Sequence, residues 1–328
     1  MKSVYIKEFG GPENLEIREV PDPQKPHGEQ VLVRVRAVGL NRADLLQRKG
    51  FYPPPIGYSP NIPGLEFAGE VVEVGSTASN FNSGDRVMAI TAGEAQAEFL
   101  LIDSSLLMRI PEGLTFTDAA AIPEACITAH DAIFTLGELK RGQSLLIHAV
   151  GSGVGIAALQ MGKAAGAAVI GTSRTADKLD RCREFGLDHG IVAGNESSFA
   201  AEVSSLTDGN GADVILDLVG ASYFKDNLAS IAQKGRLILV GLTGGATSEF
   251  DLRIALQKRA RIIGTVLRSR SFEEKAAATK CFAEHSMGLF DSGEIRPVVD
   301  KVFPAEFVRQ AHEYLESNQS FGKVVLEF

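Results

Sequence analysis

The residues with the clearest chemistry form a glycine-rich run between an apolar stretch and a helical pattern. Residues 145–147 are apolar, glycines stand at alternate positions in 151–155, and an alanine-rich helical pattern begins at Ile156. A strand, a tight glycine turn and a helix N-terminus together bind a dinucleotide pyrophosphate, because the backbone can approach the phosphates closely and the helix supplies free N–H groups. Ser152 breaks the strict G-x-G-x-x-G spacing, so the run by itself also fits an ordinary glycine turn.

The residues after the next apolar stretch bear on which dinucleotide would bind. An NAD-binding unit carries Asp or Glu roughly 20 residues after the glycines, where it binds the ribose 2′-hydroxyl. This chain has Ser173 and Arg174 there, with Lys178 one helical turn further on. A carboxylate repels a 2′-phosphate, whereas a hydroxyl and two cations attract it. The pattern favours NADPH over NADH, and its alternative is a solvated basic helix start.

A second glycine-rich turn, residues 241–245, follows the predicted strand 236–240. Ligands of open α/β sheets bind at the carboxyl ends of the strands. Gly241 and Leu242 are therefore candidates to contact a nicotinamide ring, and a mobile loop is the alternative.

The order of predicted elements indicates an α/β chain with two domains. The first ~115 residues form short, partly alternating strands punctuated by Gly and Pro, including a Pro-rich loop over 52–63. A helix is predicted over 117–134, and strands and helices alternate after it, which is typical of a parallel sheet covered on both faces. The predicted elements are strands 144–149, 168–172, 190–193, 213–217, 236–240 and 261–266 and helices 154–165, 176–185, 197–206, 222–232 and 251–257. The tail, with helices 272–288 and 305–316 and strands 299–303 and 323–327, is expected to return to the first domain.

Composition excludes several classes of protein. The 328 residues carry a net charge of −8 with a pI near 5.4, which argues against a nucleic-acid or anionic-membrane surface. The three cysteines are too far apart for a disulfide framework or a zinc cluster. No signal peptide or membrane span is evident, so we expect a cytoplasmic protein.

Several distinctive motifs are spread along the chain. They are Gly10-Gly11-Pro12-Glu13, residues 40–44, residues 64–69, Ile122-Pro123-Glu124, residues 148–155 and residues 267–270. In these motifs the chain resembles a zinc-free medium-chain dehydrogenase/reductase of the quinone oxidoreductase, or zeta-crystallin-like, branch. This resemblance implies a GroES-like catalytic domain over 1–122 and 268–328, a Rossmann NADPH-binding domain over 123–267, and a homodimer.

The resemblance also implies roles for individual residues. Asn41 and Tyr52 would face the nicotinamide and the substrate carbonyl, where amide and phenol are neutral donors for a developing oxyanion. Asn41 and Leu65 stand where zinc-dependent relatives carry ligands, and neither side chain is a workable one, so no metal is expected. The residues expected to bind the cofactor are Thr128, Ser152, Gly153, Val154, Ser173, Arg174, Lys178, Gly241, Leu242, Leu267, Arg268 and Ser269.

Other candidates have more ordinary interpretations. His148 is expected to be a buried, hydrogen-bonded histidine, Glu66 to form a structural ion pair and Cys126 to be inert packing. Arg268 and Arg270 could reach substrate or phosphate, or lie in a solvated turn. The apolar strand at 262–267 is expected to be a sheet edge covered by pairing across a two-fold axis.

Three functions fit these patterns. The first is NADPH-dependent reduction of quinones without a metal; no dedicated general acid is visible. The second is reduction of the activated C=C bond of enals or enones. The third is an NADPH-binding or RNA-binding protein with little turnover, and the net charge of −8 disfavours RNA.

Overall fold

The computed structural model describes residues 1–194 and 198–328, which form two compact units. Unit 1 contains Met1–Ile127 and Leu267–Phe328, and unit 2 contains Thr128–Val266. Both ends of the chain thus contribute to unit 1.

Fifteen strands and ten α-helices lie in the described part of the chain. The strands are β1 Lys2–Ile6, β2 Leu15–Glu19, β3 Gln30–Leu40, β4 Glu66–Val74, β5 Arg86–Ile90, β6 Phe99–Asp103, β7 Leu107–Arg109, β8 Ser144–Ile147, β9 Ala168–Ser173, β10 His189–Val192, β11 Ala212–Asp217, β12 Ile231–Leu239, β13 Arg261–Gly264, β14 Val299–Pro304 and β15 Lys323–Glu327. The helices are α1 Arg42–Arg48, α2 Phe116–Ala119, α3 Pro123–His130, α4 Gly153–Ala164, α5 Ala176–Arg183, α6 Ala200–Leu206, α7 Ala221–Ser230, α8 Leu252–Lys258, α9 Phe272–Asp291 and α10 Val308–Glu316.

Unit 1 is built around a seven-stranded, mostly antiparallel sheet. Its order is β14-β15-β3-β4-β5-β7, with β6 also paired to β3. Strand β3 alternates as a half-buried strand should: Val31, Val33 and Val35 are buried in the core, and Arg34 is exposed. Strand β15 pairs antiparallel with β3, so the end of the chain completes the sheet of its beginning.

Unit 2 is a six-stranded parallel sheet in the order β10-β9-β8-β11-β12-β13. Numbered from β8, this is 3-2-1-4-5-6, the order of dinucleotide-binding folds. The order reverses between β8 and β11, so the segments after these strands lie at the switch point where such sheets bind ligands. The predicted α/β class, with a doubly wound parallel sheet beside a second, β-rich unit, is therefore confirmed.

Two element boundaries differ from the sequence prediction for physical reasons. The helix predicted over 117–134 is divided into α2, α3 and a π-helical segment, Asp131–Leu136. Proline lacks the N–H group that continues a helix and is favoured at a first helical position, which explains why α3 starts at Pro123. Strand β12 begins at Ile231, inside the helix predicted over 222–232, because Ile231 pairs with Ala212 of β11. The helix predicted over 197–206 begins at Ala200, and residue 197 lies outside the described residues.

Candidate functional site

The glycine run lies at the N-terminus of α4, directly after β8. Ser152 is the N-cap of this helix, and its hydroxyl accepts a hydrogen bond from the Gly155 N–H at 3.1 Å. The serine that breaks the glycine spacing therefore satisfies one of the free helix N–H groups. A Cβ on Gly155 would lie 2.5 Å from the Ala149 carbonyl oxygen, so only glycine fits where the helix meets the turn. The N–H of Val150 donates to the Thr172 carbonyl at 3.0 Å and ties the turn to β9.

The end of β9 carries the residues predicted to select the dinucleotide. Ser173 is buried, and its hydroxyl accepts a hydrogen bond from the Thr175 N–H at 3.3 Å. Arg174 is exposed, and Lys178 lies in the first turn of α5. Because β9 is the direct neighbour of β8, this basic group lies at the same sheet edge as the glycine turn.

The turn after β12 reaches that edge as well. The N–H groups of Val240 and Gly241 both donate to the Asp217 carbonyl, at 2.8 and 3.2 Å. A Cβ on Gly241 would lie 2.7 Å from the Leu218 carbonyl oxygen, whereas the side chain of Leu242 is exposed. The structure therefore gathers three predicted groups of unit 2 at the carboxyl ends of β8, β9 and β12.

A buried polar network joins residues at the ends of β8, β9 and β11. The ring of His148 contacts the Thr172 hydroxyl at 2.9 Å and the Asn227 amide oxygen at 2.5 Å. The Asn227 amide nitrogen donates to Asp217 at 2.9 Å, and Asp217 accepts the N–H of Gly220 at 2.9 Å. Burial lowers the pKa of His148, which favours its neutral form. The expectation of a buried, bonded histidine is confirmed.

In unit 1 the predicted residue Asn41 belongs to a buried ion-pair cluster. The ammonium group of Lys323 donates to the Glu66 carboxylate at 2.5 Å, the Asn41 amide oxygen at 2.7 Å and the Leu40 carbonyl at 2.9 Å. The Asn41 amide nitrogen donates to Glu66 at 2.8 Å and to the Gly39 carbonyl at 3.2 Å. Glu66 is 0% exposed, so its expected structural ion pair is confirmed. Both amide hydrogens of Asn41 are thus directed to protein acceptors, and its contact with substrate stays a prediction.

Two further carboxyl groups lie beside this cluster. The N–H of Glu124 donates to Glu66 at 2.8 Å, and burial together with the Glu66 charge raises the pKa of Glu124 to about 8. Asp44 accepts the N–H groups of Asn41 and Gly64 at 2.7 and 3.0 Å, and burial raises its pKa to about 6. The sequence did not predict that Glu124 titrates near neutral pH, although the residue belongs to the motif Ile122-Pro123-Glu124.

Tyr52 and Arg268 contact each other in unit 1. The Arg268 guanidinium donates to the Tyr52 carbonyl at 2.7 Å, and its carbon lies 5.0 Å from the centroid of the Tyr52 ring. Burial is the main cause of a raised pKa for Tyr52, so its hydroxyl stays protonated and can donate a hydrogen bond at neutral pH. Leu267 is buried and Ser269 exposed; their cofactor contacts, like that of Thr128 in unit 2, stay predictions.

The raised pKa of Glu124 predicts a pH-dependent stability. A carboxyl whose pKa rises from 4.5 to about 8 on folding binds more protons in the folded chain, so stability falls as the pH rises through this window. Each pKa unit corresponds to about 1.4 kcal/mol. Between pH 5 and 8.5 we expect the free energy of unfolding of the wild type to fall by at least ~1.4 kcal/mol relative to Glu124→Gln.

Urea unfolding at both pH values measures this difference. The exposed Glu294→Gln is the matched control and should run parallel to the wild type. Parallel curves for Glu124→Gln and wild type would contradict a raised pKa.

Comparison with known proteins places the chain in a family. The alcohol dehydrogenase GroES-like domain model matches residues 27–132, and the zinc-binding dehydrogenase model matches residues 153–284. The quinone oxidoreductase of Pseudomonas aeruginosa is 33% identical over 326 residues, 99% of each chain. The chain belongs to the medium-chain dehydrogenase/reductase family. It is an oxidoreductase of this family.

Solved structures of family members are similar along the full chain. The Escherichia coli quinone oxidoreductase complexed with NADPH is 28% identical, with a TM-score of 0.89 and both chains fully covered. The CurK enoyl reductase is 25% identical, with a TM-score of 0.88, and the match covers 99% of this chain and 98% of that one. The family therefore includes proteins named for two of the reactions considered above.

One of the two matching family models is named for zinc binding, so the side chains that could hold a metal ion are of interest. Across residues 1–194 and 198–328, no group of three or more His, Cys, Asp or Glu side chains is arranged to hold a metal ion. A metal-free enzyme stays a prediction. Within the same residues, every helix is too short or too polar to cross a membrane.

Proposed function

We propose that this oxidoreductase uses NADPH to reduce quinones. The observation that carries the cofactor assignment is the end of β9, where Ser173, Arg174 and Lys178 stand in place of a carboxylate beside the glycine turn. The relative from Pseudomonas aeruginosa, similar along its whole length, supports the substrate class.

The residues at the sheet edge of unit 2 fit a dinucleotide phosphate. A Cβ on Gly155 or Gly241 would meet a backbone carbonyl oxygen, so glycine at these positions lets both turns pack closely at the sheet edge. Ser152, Gly153 and Val154 form the start of α4, where N–H groups and the helix dipole favour an anion. NADPH bound here supplies a hydride.

In unit 1 Tyr52 has the chemistry to act on the substrate. Its phenol is neutral at pH 7 and donates a hydrogen bond to the carbonyl oxygen that gains charge during reduction. Asn41 holds Glu66 and Lys323 in place through its amide group. The reduced quinone is a delocalised anion, so protonation from solvent completes the reaction without a dedicated acid.

Replacement of Arg174 tests the cofactor assignment. A charge-assisted contact with a phosphate is worth about 1.5–3 kcal/mol, so we expect Arg174→Ala to weaken NADPH binding by about 10- to 100-fold and to leave NADH binding unchanged. Isothermal titration calorimetry measures both dissociation constants. The control is Arg183→Ala, which removes an exposed arginine at the C-terminal end of the following helix, α5. Equal changes in the dissociation constants of NADPH and NADH would contradict the assignment of these residues to the 2′-phosphate.

Reduction of enones is the second candidate, and the similarity to the CurK enoyl reductase favours it. A homodimer and a cytoplasmic location also remain proposals, and the substrate is a small molecule in either case.

A further inference from the structure

Arg268 joins three separate segments of unit 1. Its side chain is buried, with 3% of the residue exposed. Nε donates to the Ala92 carbonyl at 2.8 Å, Nη1 to the Tyr52 carbonyl at 2.7 Å and Nη2 to the Gln47 amide oxygen at 2.5 Å. Each of the three nitrogens thus has a protein acceptor. This arrangement uses the planar geometry that distinguishes arginine from lysine.

Gln47 extends the connection to the far end of the Pro-rich loop. Its amide nitrogen donates to the carbonyls of Pro60 and Ile62, at 3.0 and 3.4 Å. Arg268 and Gln47 therefore hold the loop at its beginning, Tyr52, and near its end. Between these anchors Ile56 is fully exposed, and prolines 53–55 have no N–H groups to donate. Further along the loop the Ser59 N–H donates to the Glu94 carboxylate at 2.8 Å, so the contact with Arg268 matters most for the first part of the loop, at Tyr52.

The electrostatic surroundings keep the guanidinium in place. The Asp44 carboxylate attracts Arg268, and the guanidinium carbon lies 5.0 Å from the Tyr52 ring centroid, within the range of a cation–π contact. Arg268 consequently restrains Tyr52 at the backbone and at the ring.

We propose that Arg268 is the positioning residue for Tyr52: its guanidinium, together with Gln47, holds the loop so that the phenol is presented to substrate in one orientation. This inference rests on the proposed role of Tyr52 in reduction. The expected contact of Arg268 with the cofactor stays a prediction, because three of the five guanidinium N–H groups are directed to protein acceptors and two are not.

Hydrogen–deuterium exchange and kinetics on Arg268→Ala test the proposal together. Because the variant loses the charge-assisted hydrogen bonds that hold the loop, we expect the non-proline amides of residues 51–62 to exchange at least about tenfold faster. We also expect kcat with an enone to fall by at least about tenfold with little change in KM, because the Tyr52 contact strengthens as charge develops. Calorimetry should show an unchanged dissociation constant for NADPH.

Arg268→Lys keeps the test decisive if Arg268→Ala folds poorly: it cannot reach three acceptors in one plane and should show intermediate exchange. If Arg268→Ala folds, added guanidinium ion should restore part of its kcat. The control is Arg34→Ala, which removes an exposed arginine lying 5.4 Å from the ring of Phe99 and should behave as wild type.

Unchanged exchange of 51–62 in both Arg268 variants would overturn the inference, and so would a tenfold weaker binding of NADPH, which would mark a cofactor ligand. Failure of the proposed function has a different signature. In that case the wild type would not oxidise NADPH with any quinone or enone, while the exchange measurement would still report whether Arg268 holds the loop.

Discussion

Replacement of Lys323 by methionine is expected to lower the free energy of unfolding by about 3–5 kcal/mol, because the carboxylate of Glu66 would be left buried without its cation. Lys323 is 5% exposed and Glu66 0%, so solvent cannot replace the lost partner. Two backbone or amide donors, Asn41 Nδ2 and the Glu124 N–H, would remain on Glu66.

The double variant Lys323→Met/Glu66→Gln separates the ion pair from general packing. It removes both charges and should recover much of the lost stability, because an unpaired buried charge costs more than a missing pair. Lys280→Met is the control, since Lys280 forms an exposed pair with Glu284 at 3.8 Å and should change stability by less than about 1 kcal/mol. Urea unfolding at pH 7 measures all three variants. A loss below ~1 kcal/mol in Lys323→Met, or no recovery in the double variant, would contradict this description of the cluster.

Replacement of Tyr52 by phenylalanine is expected to affect two substrate classes unequally. With an enone we expect kcat/KM to fall by about 10²-fold, because an oxyanion donor is typically worth 10²–10³-fold. With a quinone the fall should stay below about tenfold, since the delocalised anion needs less stabilisation from one donor.

Steady-state oxidation of NADPH at several concentrations of each substrate measures the effect. Tyr58→Phe is the matched control in the same loop, where Tyr58 packs against Gly93 and should tolerate loss of its hydroxyl. Equal losses of kcat/KM with quinone and enone would contradict the proposal that Tyr52 stabilises the developing oxyanion while solvent supplies the proton.

The features predictable from the sequence are those encoded by neighbouring residues. The strand, glycine turn and helix around Ser152 follow one another directly within residues 144–164, and the structure places them as expected. The spacing did not reveal the N-cap role of Ser152, although a serine immediately before a helical pattern is an ordinary capping signal. The alternation of strands and helices predicted the parallel sheet of unit 2, because each strand and helix is likewise encoded by neighbouring residues.

The polar network of unit 1 could not be predicted, because its partners are far apart in the chain. Lys323 and Glu66 are separated by 257 positions, and Arg268 and Gln47 by 221. No hydrophobic periodicity or short sequence motif indicates which residues form such distant pairs. The raised pKa of Glu124 likewise arises from burial and from the charge of Glu66, which only the folded chain brings close.

Reduction of quinones with NADPH is tested most directly on the wild-type enzyme. The measurement is kcat/KM for NADPH and for NADH with an ortho-quinone, a para-quinone and an enone. We predict that NADPH is the better donor by at least about tenfold and that quinones exceed the enone. A preference for NADH, or turnover with the enone alone, would contradict the claim.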